Sequence, residues 1–192
     1  MTGWQKHHED IKNYPPSRLL VEAVPFMLNK HKALDLGAAV LTDTKFLLSE
    51  GFEVIALDKE KGLEEISDPK FKFVHSTYSG YSFPKNVFDL VNAQYSLPFN
   101  GKETFPELWA NILNSLKSEG IFVGQFFGEN DGWNVPGSEI AFHTISEVNE
   151  MLKDMEVLKL IEVDKDRHLS DGTPKHWHVY NVIAKKRVEP PE

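Results

Sequence analysis

The residues most able to do chemistry in this chain are two carboxylates and a glycine. Asp35 and Gly37 lie in Lys32-Ala33-Leu34-Asp35-Leu36-Gly37-Ala38-Ala39, and Asp58 ends Glu53-Val54-Ile55-Ala56-Leu57-Asp58. These stretches read as strand, tight turn, helix and strand, which sets both carboxylates at the carboxyl ends of neighbouring parallel strands. Open α/β sheets bind their ligands there. At the tip of the second strand Asp58 offers two acceptor oxygens and no donor, which suits a pair of ribose hydroxyls.

Ala39 and Leu41 follow Gly37, so the turn lacks the later glycines of G-x-G-x-x-G that let a pyrophosphate approach the backbone. An acidic residue beside the turn suits a ligand carrying a cationic or amino group, and S-adenosylmethionine is one. Asp35 and Gly37 match the start of an acidic-x-G-x-G-x-G motif, and here the sequence resembles the class I S-adenosylmethionine-dependent methyltransferases. Ala39 and Leu41 stand where that family has its second and third glycines. The family's second glycine lets the methionine part of the cofactor lie against the backbone, so the Ala39 methyl is expected to weaken or slightly displace binding without abolishing it.

Further along, Phe88-Asp89-Leu90-Val91 and the loop Gln94-Tyr95-Ser96-Leu97-Pro98-Phe99 resemble the same family's fourth motif. The resemblance implies that Asn92, Gln94 and Tyr95 line the methyl-donor end, where amide and phenol groups orient cofactor or nucleophile without carrying charge. Their ordinary role is to satisfy backbone groups where a strand ends. Ser76 and Thr77 close the run Phe71-Lys72-Phe73-Val74, where adenine would lie in the family geometry; both are also common turn formers.

The glycine-rich loop Gly128 to Gly137, built around Trp133, is expected to border the acceptor pocket, with a merely anchored surface loop as its bland reading. His176, His178 and Tyr180 alternate onto one face of the last apolar pattern, with Trp177, Val179 and Ile183 on the other. Two histidines at that spacing can share a metal or hold a proton. Neither has a carboxylate or cysteine beside it in sequence, so no metal site is expected. If the acceptor needs a proton removed, His143, His176 and His178 are the candidate bases.

The elements that must position these groups are legible as patterns. Pro15-Pro16-Ser17 opens a helix with Leu19, Leu20, Ala23, Val24, Met27 and Leu28 inward, shortened by Pro25. Thr42 or Asp43 caps a helix that stops at Gly51. A short helix is expected around Gly62 to Ile66. An amphipathic helix spans Pro106 to Lys117, is closed by Glu119-Gly120 and leads to a buried strand at Ile121 to Phe127. Thr144-Ile145-Ser146-Glu147 is a capping box. Two long β patterns, Glu156 to Val163 and His176 to Lys185, follow as an antiparallel pair.

The fold expected is therefore α/β: a Rossmann-like, seven-stranded methyltransferase sheet with helices on both faces and a C-terminal antiparallel strand. The 192 residues, 41% of them hydrophobic, suit one domain. Its bounds are read as 17–186, after a leader or lid at 1–16 that carries Trp4, His7, His8 and Tyr14, and before a tail at 187–192. A net charge of −8 with scattered lysines and arginines argues against nucleic acid. With no cysteine, disulfides, thiolate metal sites and a cysteine nucleophile are excluded. No signal peptide or membrane-spanning run is read, and a cytoplasmic location is expected.

The resemblance runs over roughly residues 17 to 186 and is nearest to small stand-alone methyltransferases of the tellurite-resistance type. It implies transfer of a methyl group to a small-molecule acceptor by in-line attack on the sulfonium, in a monomer or homodimer. The alternative is a non-catalytic module of the same fold that binds adenosyl ligands or a protein; an NAD-dependent oxidoreductase is disfavoured by the missing glycines.

Overall fold

The computed structural model describes residues 11–60, 66–169 and 171–188. Trp4, His7 and His8 of the leader, and the helix expected from Gly62, lie outside the described residues. In chain order the elements are α1 (Arg18–Ala23), a 3-10 turn (Val24–Phe26), β1 (Lys32–Leu36), α2 (Thr42–Ser49), β2 (Glu53–Asp58), β3 (Phe71–His75) and β4 (Phe88–Ala93). They continue with α3 (Phe105–Ser115), β5 (Leu116–Gly128), β6 (Phe142–His143), α4 (Ile145–Met151), β7 (Met155–His168) and β8 (Pro174–Lys186).

The strands form one sheet in the order β3-β2-β1-β4-β5-β8-β7, with the two-residue β6 beside β5. Strands β1 to β6 pair in parallel, and β8 runs antiparallel between β5 and β7. The order reverses between β1 and β4, which makes their carboxyl ends the switch point at which such sheets open a crevice.

Strand β4 is buried at every residue, as a parallel strand covered on both faces must be. One face packs Leu34, Leu36, Val91, Phe122 and Phe126 against Leu108, Trp109 and Ile112 of α3. The other packs Ala33, Val54, Leu90 and Ile121 against Leu19, Leu20 and Ala23 of α1 and Leu47 of α2. Helices therefore cover both faces of the sheet, and α3 supplies the larger apolar stripe.

Local chemistry departs from the sequence pattern in three places. Neither Thr42 nor Asp43 caps α2; its N-cap is Leu41, held left-handed at φ 63 with no side-chain cap. Asp43 instead accepts from the Ser17 amide at 2.7 Å. Leu28 is 75% exposed, because Pro25 turns the last residues of α1 into a 3-10 turn and rotates residue 28 off the buried stripe. Glu119-Gly120 does not close α3. The helix ends at Ser115, and residues 119 and 120 form an irregularity within β5, where pairing jumps from Phe88↔Leu116 to Leu90↔Ile121. Glu119 takes φ 65 there, and a Cβ on Gly120 would sit 2.8 Å from the Lys117 carbonyl. The Thr144 capping box forms as read, with both reciprocal bonds in place.

Candidate active site

At the switch point, β1 and β2 present Asp35 and Asp58 on either side of the turn that begins at Gly37. Gly37 has φ 72, and an added Cβ would lie 2.4 Å from Ser96 Cβ and 3.0 Å from the Tyr78 hydroxyl. Only glycine fits here, for backbone and for space. Ala39 and Leu41 also take positive φ, 46 and 63. The turn thus keeps a left-handed backbone at residues that carry side chains, a strain of the kind stored at ligand sites. Asp58 closes it, taking hydrogen bonds from the Ala39 amide at 2.8 Å on Oδ2 and from the Glu60 amide at 2.8 Å on Oδ1. Each oxygen keeps a further lone pair for an incoming hydroxyl.

Asp35 is 2% exposed, and both of its oxygens are engaged. Thr44 Oγ1 donates to Oδ2 at 2.5 Å and Asn92 Nδ2 to Oδ1 at 2.8 Å. Burial, with the neighbouring Asp43 and Asp58 carboxylates, raises its pKa from the ordinary carboxylate range to about 7, against the opposing Thr44 and Asn92 bonds. Three carboxylates thus cluster around one turn, and the nearness of the other two is part of what favours the protonated form of Asp35.

Asn92 starts a chain of amides across the sheet. Its Oδ1 accepts from Gln94 Nε2 at 2.8 Å, and Gln94 Oε1 accepts from Gln125 Nε2 at 2.8 Å. Gln125 Oε1 in turn takes the Tyr95 amide at 2.9 Å. This relay holds Tyr95 at φ 50 with its ring 46% exposed. Ser76 and Thr77 stand at the end of β3, their hydroxyls engaged in the local turn with the Thr77 carbonyl and Ser79.

Beyond Tyr95 lies an aromatic cluster. Lys175 Nζ sits 3.6 Å from the Trp177 ring centre, 4.2 Å from Trp133 and 5.3 Å from Phe127, and it bridges both oxygens of Asp131 at 2.7 and 2.6 Å. The two side chains are 3% and 0% exposed. The pair clips the glycine-rich loop onto β8, helped by the Gly132 amide bonding to the His176 carbonyl at 2.9 Å. Burial draws the Lys175 pKa down while Asp131 pushes it back up.

The three histidines are held in different ways. His143 packs 4.6 Å from the Phe105 ring, with a buried Nε2 that has no hydrogen-bond partner, and burial lowers its pKa. His176 faces Asp166 through Nδ1 at 2.7 Å and Asp164 through Nε2 at 2.6 Å, and these two carboxylates raise its pKa. His178 lies over Gly128, whose added Cβ would come within 2.3 Å of the ring.

Carboxylates absent from the histidines' own sequence neighbourhood thus arrive from β7, and Glu162, Asp164 and His178 present ligand-type atoms within 4.8 Å of one another. The Asn130 amide donates to His178 Nδ1 at 3.0 Å, which leaves the ring proton on Nε2, 2.8 Å from Glu162. A metal would need that nitrogen bare, so the arrangement favours the hydrogen-bonded set over a cation.

Sequence reasoning misses Thr44, Asp43, Tyr78 and Gln125; it reads the run Lys175 to His178 as a border of the acceptor pocket but does not find the pairing of Lys175 with Asp131. The signals available were weak: a Thr and an Asp in the first turn of α2, a glutamine in an otherwise apolar strand, and an acid in the loop already marked for Trp133.

The sheet order, the reversal between β1 and β4 and the antiparallel β8 are the fold of the class I S-adenosylmethionine-dependent methyltransferases. Solved structures of that fold superpose on most of the chain. A methyltransferase from Methanosarcina mazei matches with a TM-score of 0.65 at 16% identity, covering 91% of this chain and all of its own. TehB from Haemophilus influenzae gives a TM-score of 0.71 at 16% identity over 95% of this chain and 67% of its own. The 1,6-didemethyltoxoflavin N1-methyltransferase of Burkholderia thailandensis, solved with bound 1,6-didemethyltoxoflavin and S-adenosylhomocysteine, gives 0.58 at 16% identity over 96% and 78%. No protein-family model and no curated protein matches the sequence. Among the described residues, no helix is long and apolar enough to cross a membrane.

Proposed function

We propose that this chain binds S-adenosylmethionine at the Gly37 turn and transfers its methyl group to a small-molecule acceptor. The observation that carries the reading is the turn itself: Gly37 with no room for a side chain, flanked by Asp35 on β1 and Asp58 on β2. Asp58 is assigned to the ribose hydroxyls, Asp35 to the charge of the methionine end through Asn92 and Thr44, and Ser76 and Thr77 to the adenine edge. Asn92, Gln94 and Tyr95 would line the donor end. When bound, the cofactor supplies the electrophilic methyl group; the protein's part is alignment and exclusion of water. The heterocycle bound by the Burkholderia enzyme supports a small acceptor.

Two outcomes test this placement. Replacing Asp58 with Ala is expected to weaken S-adenosylhomocysteine by at least about 1 kcal/mol, roughly fivefold, through loss of hydrogen bonds to a charged group. Unchanged affinity in a titration calorimeter removes Asp58 from the site.

The second outcome is pH dependence. Asp35, with a pKa near 7, holds a proton in the folded chain at pH values where the unfolded chain has lost it. Its contribution to stability is therefore complete below the unfolded value and is lost as pH rises through about 7. A cationic ligand group favours the charged carboxylate, so affinity is expected to rise between about pH 6 and pH 8, with proton release on binding. Calorimetry in buffers of different ionisation enthalpy measures that release, and Asp35→Asn is expected to flatten the profile. A flat wild-type profile would separate Asp35 from the ligand.

One observation favours a second reading, a non-catalytic module that binds adenosyl ligands or a protein. The Tyr78 hydroxyl and Ser96 close directly over Gly37, where the methionine part of a cofactor would lie. Retained adenosine binding with weak or undetectable S-adenosylhomocysteine binding would select that reading.

A further inference from the structure

The aromatic cluster beside Tyr95 has a polarity that constrains what can rest on it. Phe99, Trp133 and Trp177 are half-buried and Tyr95 is exposed, so the group presents a rim of ring surface at the carboxyl ends of β4 and β5. Neighbouring rings meet edge-on or tilted, with Tyr95 5.8 Å from Trp177 and Phe99 5.9 Å from Trp133. Such a rim selects flat, apolar partners. Ordinarily it would also select cations, which ring faces attract.

Here that role is already filled. The Lys175 ammonium covers one face of both indoles and cannot leave without stranding buried Asp131. Cross-strand pairing adds charge of the same sign: Lys165 stands opposite Trp177 and Arg167 opposite Lys175, on the same face of the sheet. Lys165, Arg167 and His168, with Asp166 and Pro174, line an opening of about 690 Å³ at the end of the β7 and β8 pair.

Resting on the methyl-transfer reading above, we propose that the acceptor is a planar aromatic molecule carrying a negative charge, stacked on the Tyr95, Trp133 and Trp177 rim with its anionic group toward Lys165 and Arg167. A quaternary or protonated amine is disfavoured because Lys175, paired with Asp131, already occupies the indole faces, and Lys165 and Arg167 carry like charge beside them. A second ring atom, turned toward the cofactor and away from Lys165 and Arg167, attacks the methyl carbon with its lone pair. The methyl–sulfur bond breaks with its electrons to sulfur, and where that atom is a ring hydroxyl its proton leaves to water at the exposed Tyr95 side.

Binding of three ring probes of matched size tests the proposal: 1-hydroxy-2-naphthoate, 2-naphthol and N-methylquinolinium, titrated into the full chain with and without S-adenosylhomocysteine. The expected order is anion tightest and cation weakest, with at least about tenfold between them. Arg167→Gln, an exposed substitution on an edge strand, is expected to narrow that gap severalfold, and Trp177→Phe to weaken the anion. Equal or tighter binding of the cation overturns the proposal, as does failure of all three probes on protein that binds S-adenosylhomocysteine normally. Should S-adenosylhomocysteine fail to bind while the probe order holds, the methyl-transfer reading falls and the anionic aromatic site stands.

Discussion

Lys175→Met is expected to destabilise the protein by about 3–5 kcal/mol, the cost of leaving a buried charge without its partner. Methionine matches the lysine stem in length, so packing against Trp133 and Trp177 survives in large part. What is lost is the counter-charge of Asp131, whose side chain is wholly buried. That carboxylate keeps hydrogen bonds from the Trp133 amide at 3.0 Å and the His178 amide at 3.2 Å, and these do not neutralise it. In a chain of this size about 2–4 °C of melting temperature is lost per kcal/mol, so a fall on the order of 6–20 °C is expected in a thermal melt. The double variant Lys175→Met with Asp131→Leu is expected to recover most of the loss, because removing both charges leaves nothing unpaired. A single-variant loss below about 1 kcal/mol would sink the account of this pair as a buried clip.

Gly37→Ala is expected to cost about 2–4 kcal/mol and to abolish binding at the turn. Two effects add. A side chain at φ 72 costs about 1 kcal/mol in the left-handed region. The methyl group, 2.4 Å from Ser96 Cβ, adds about 1–3 kcal/mol of overpacking, since Ser96 is tied to the Leu36 carbonyl at 2.7 Å and cannot swing away freely. Gly51→Ala separates the two effects: φ is 98, yet nothing lies within 4 Å of the added Cβ. It is expected to show the backbone cost alone, about 1 kcal/mol. Equal urea midpoints for the two variants would refute the crowding at Gly37.

The carboxylate assignments depend on the same turn. Ala39 and Leu41, at positions where the resembling family has glycines, take positive φ, the backbone region that glycine adopts at little cost. The Ala39 methyl therefore bears on the space above the turn more than on its path. Asp58 holds that path through the Ala39 amide, which ties the proposed ribose contact and the turn geometry to one side chain.

The sequence by itself determined the strands β1, β2, β4 and β5, the amphipathic stripe of α3, the Thr144 box and the antiparallel close. Each is set by residues a few positions apart: runs of apolar side chains, a 3.6-residue period, a hydroxyl three residues before a glutamate. It also placed Asp35 and Asp58 at strand tips, because a tip is a local feature.

Only the tertiary structure decided what these groups meet. Asn92 reaches Asp35 across 57 residues, and Lys175 reaches Asp131 across 44. His176 and His178 acquire Asp164, Asp166 and Glu162 through the register of β7 on β8. Strand order and register fix such pairings, and a one-residue slip would turn every one of them to the opposite face. The charge state of Asp35, the filled indole faces at Trp133 and Trp177 and the closed turn at Gly37 all follow from those pairings, so the chemistry of the site belongs to the assembled sheet.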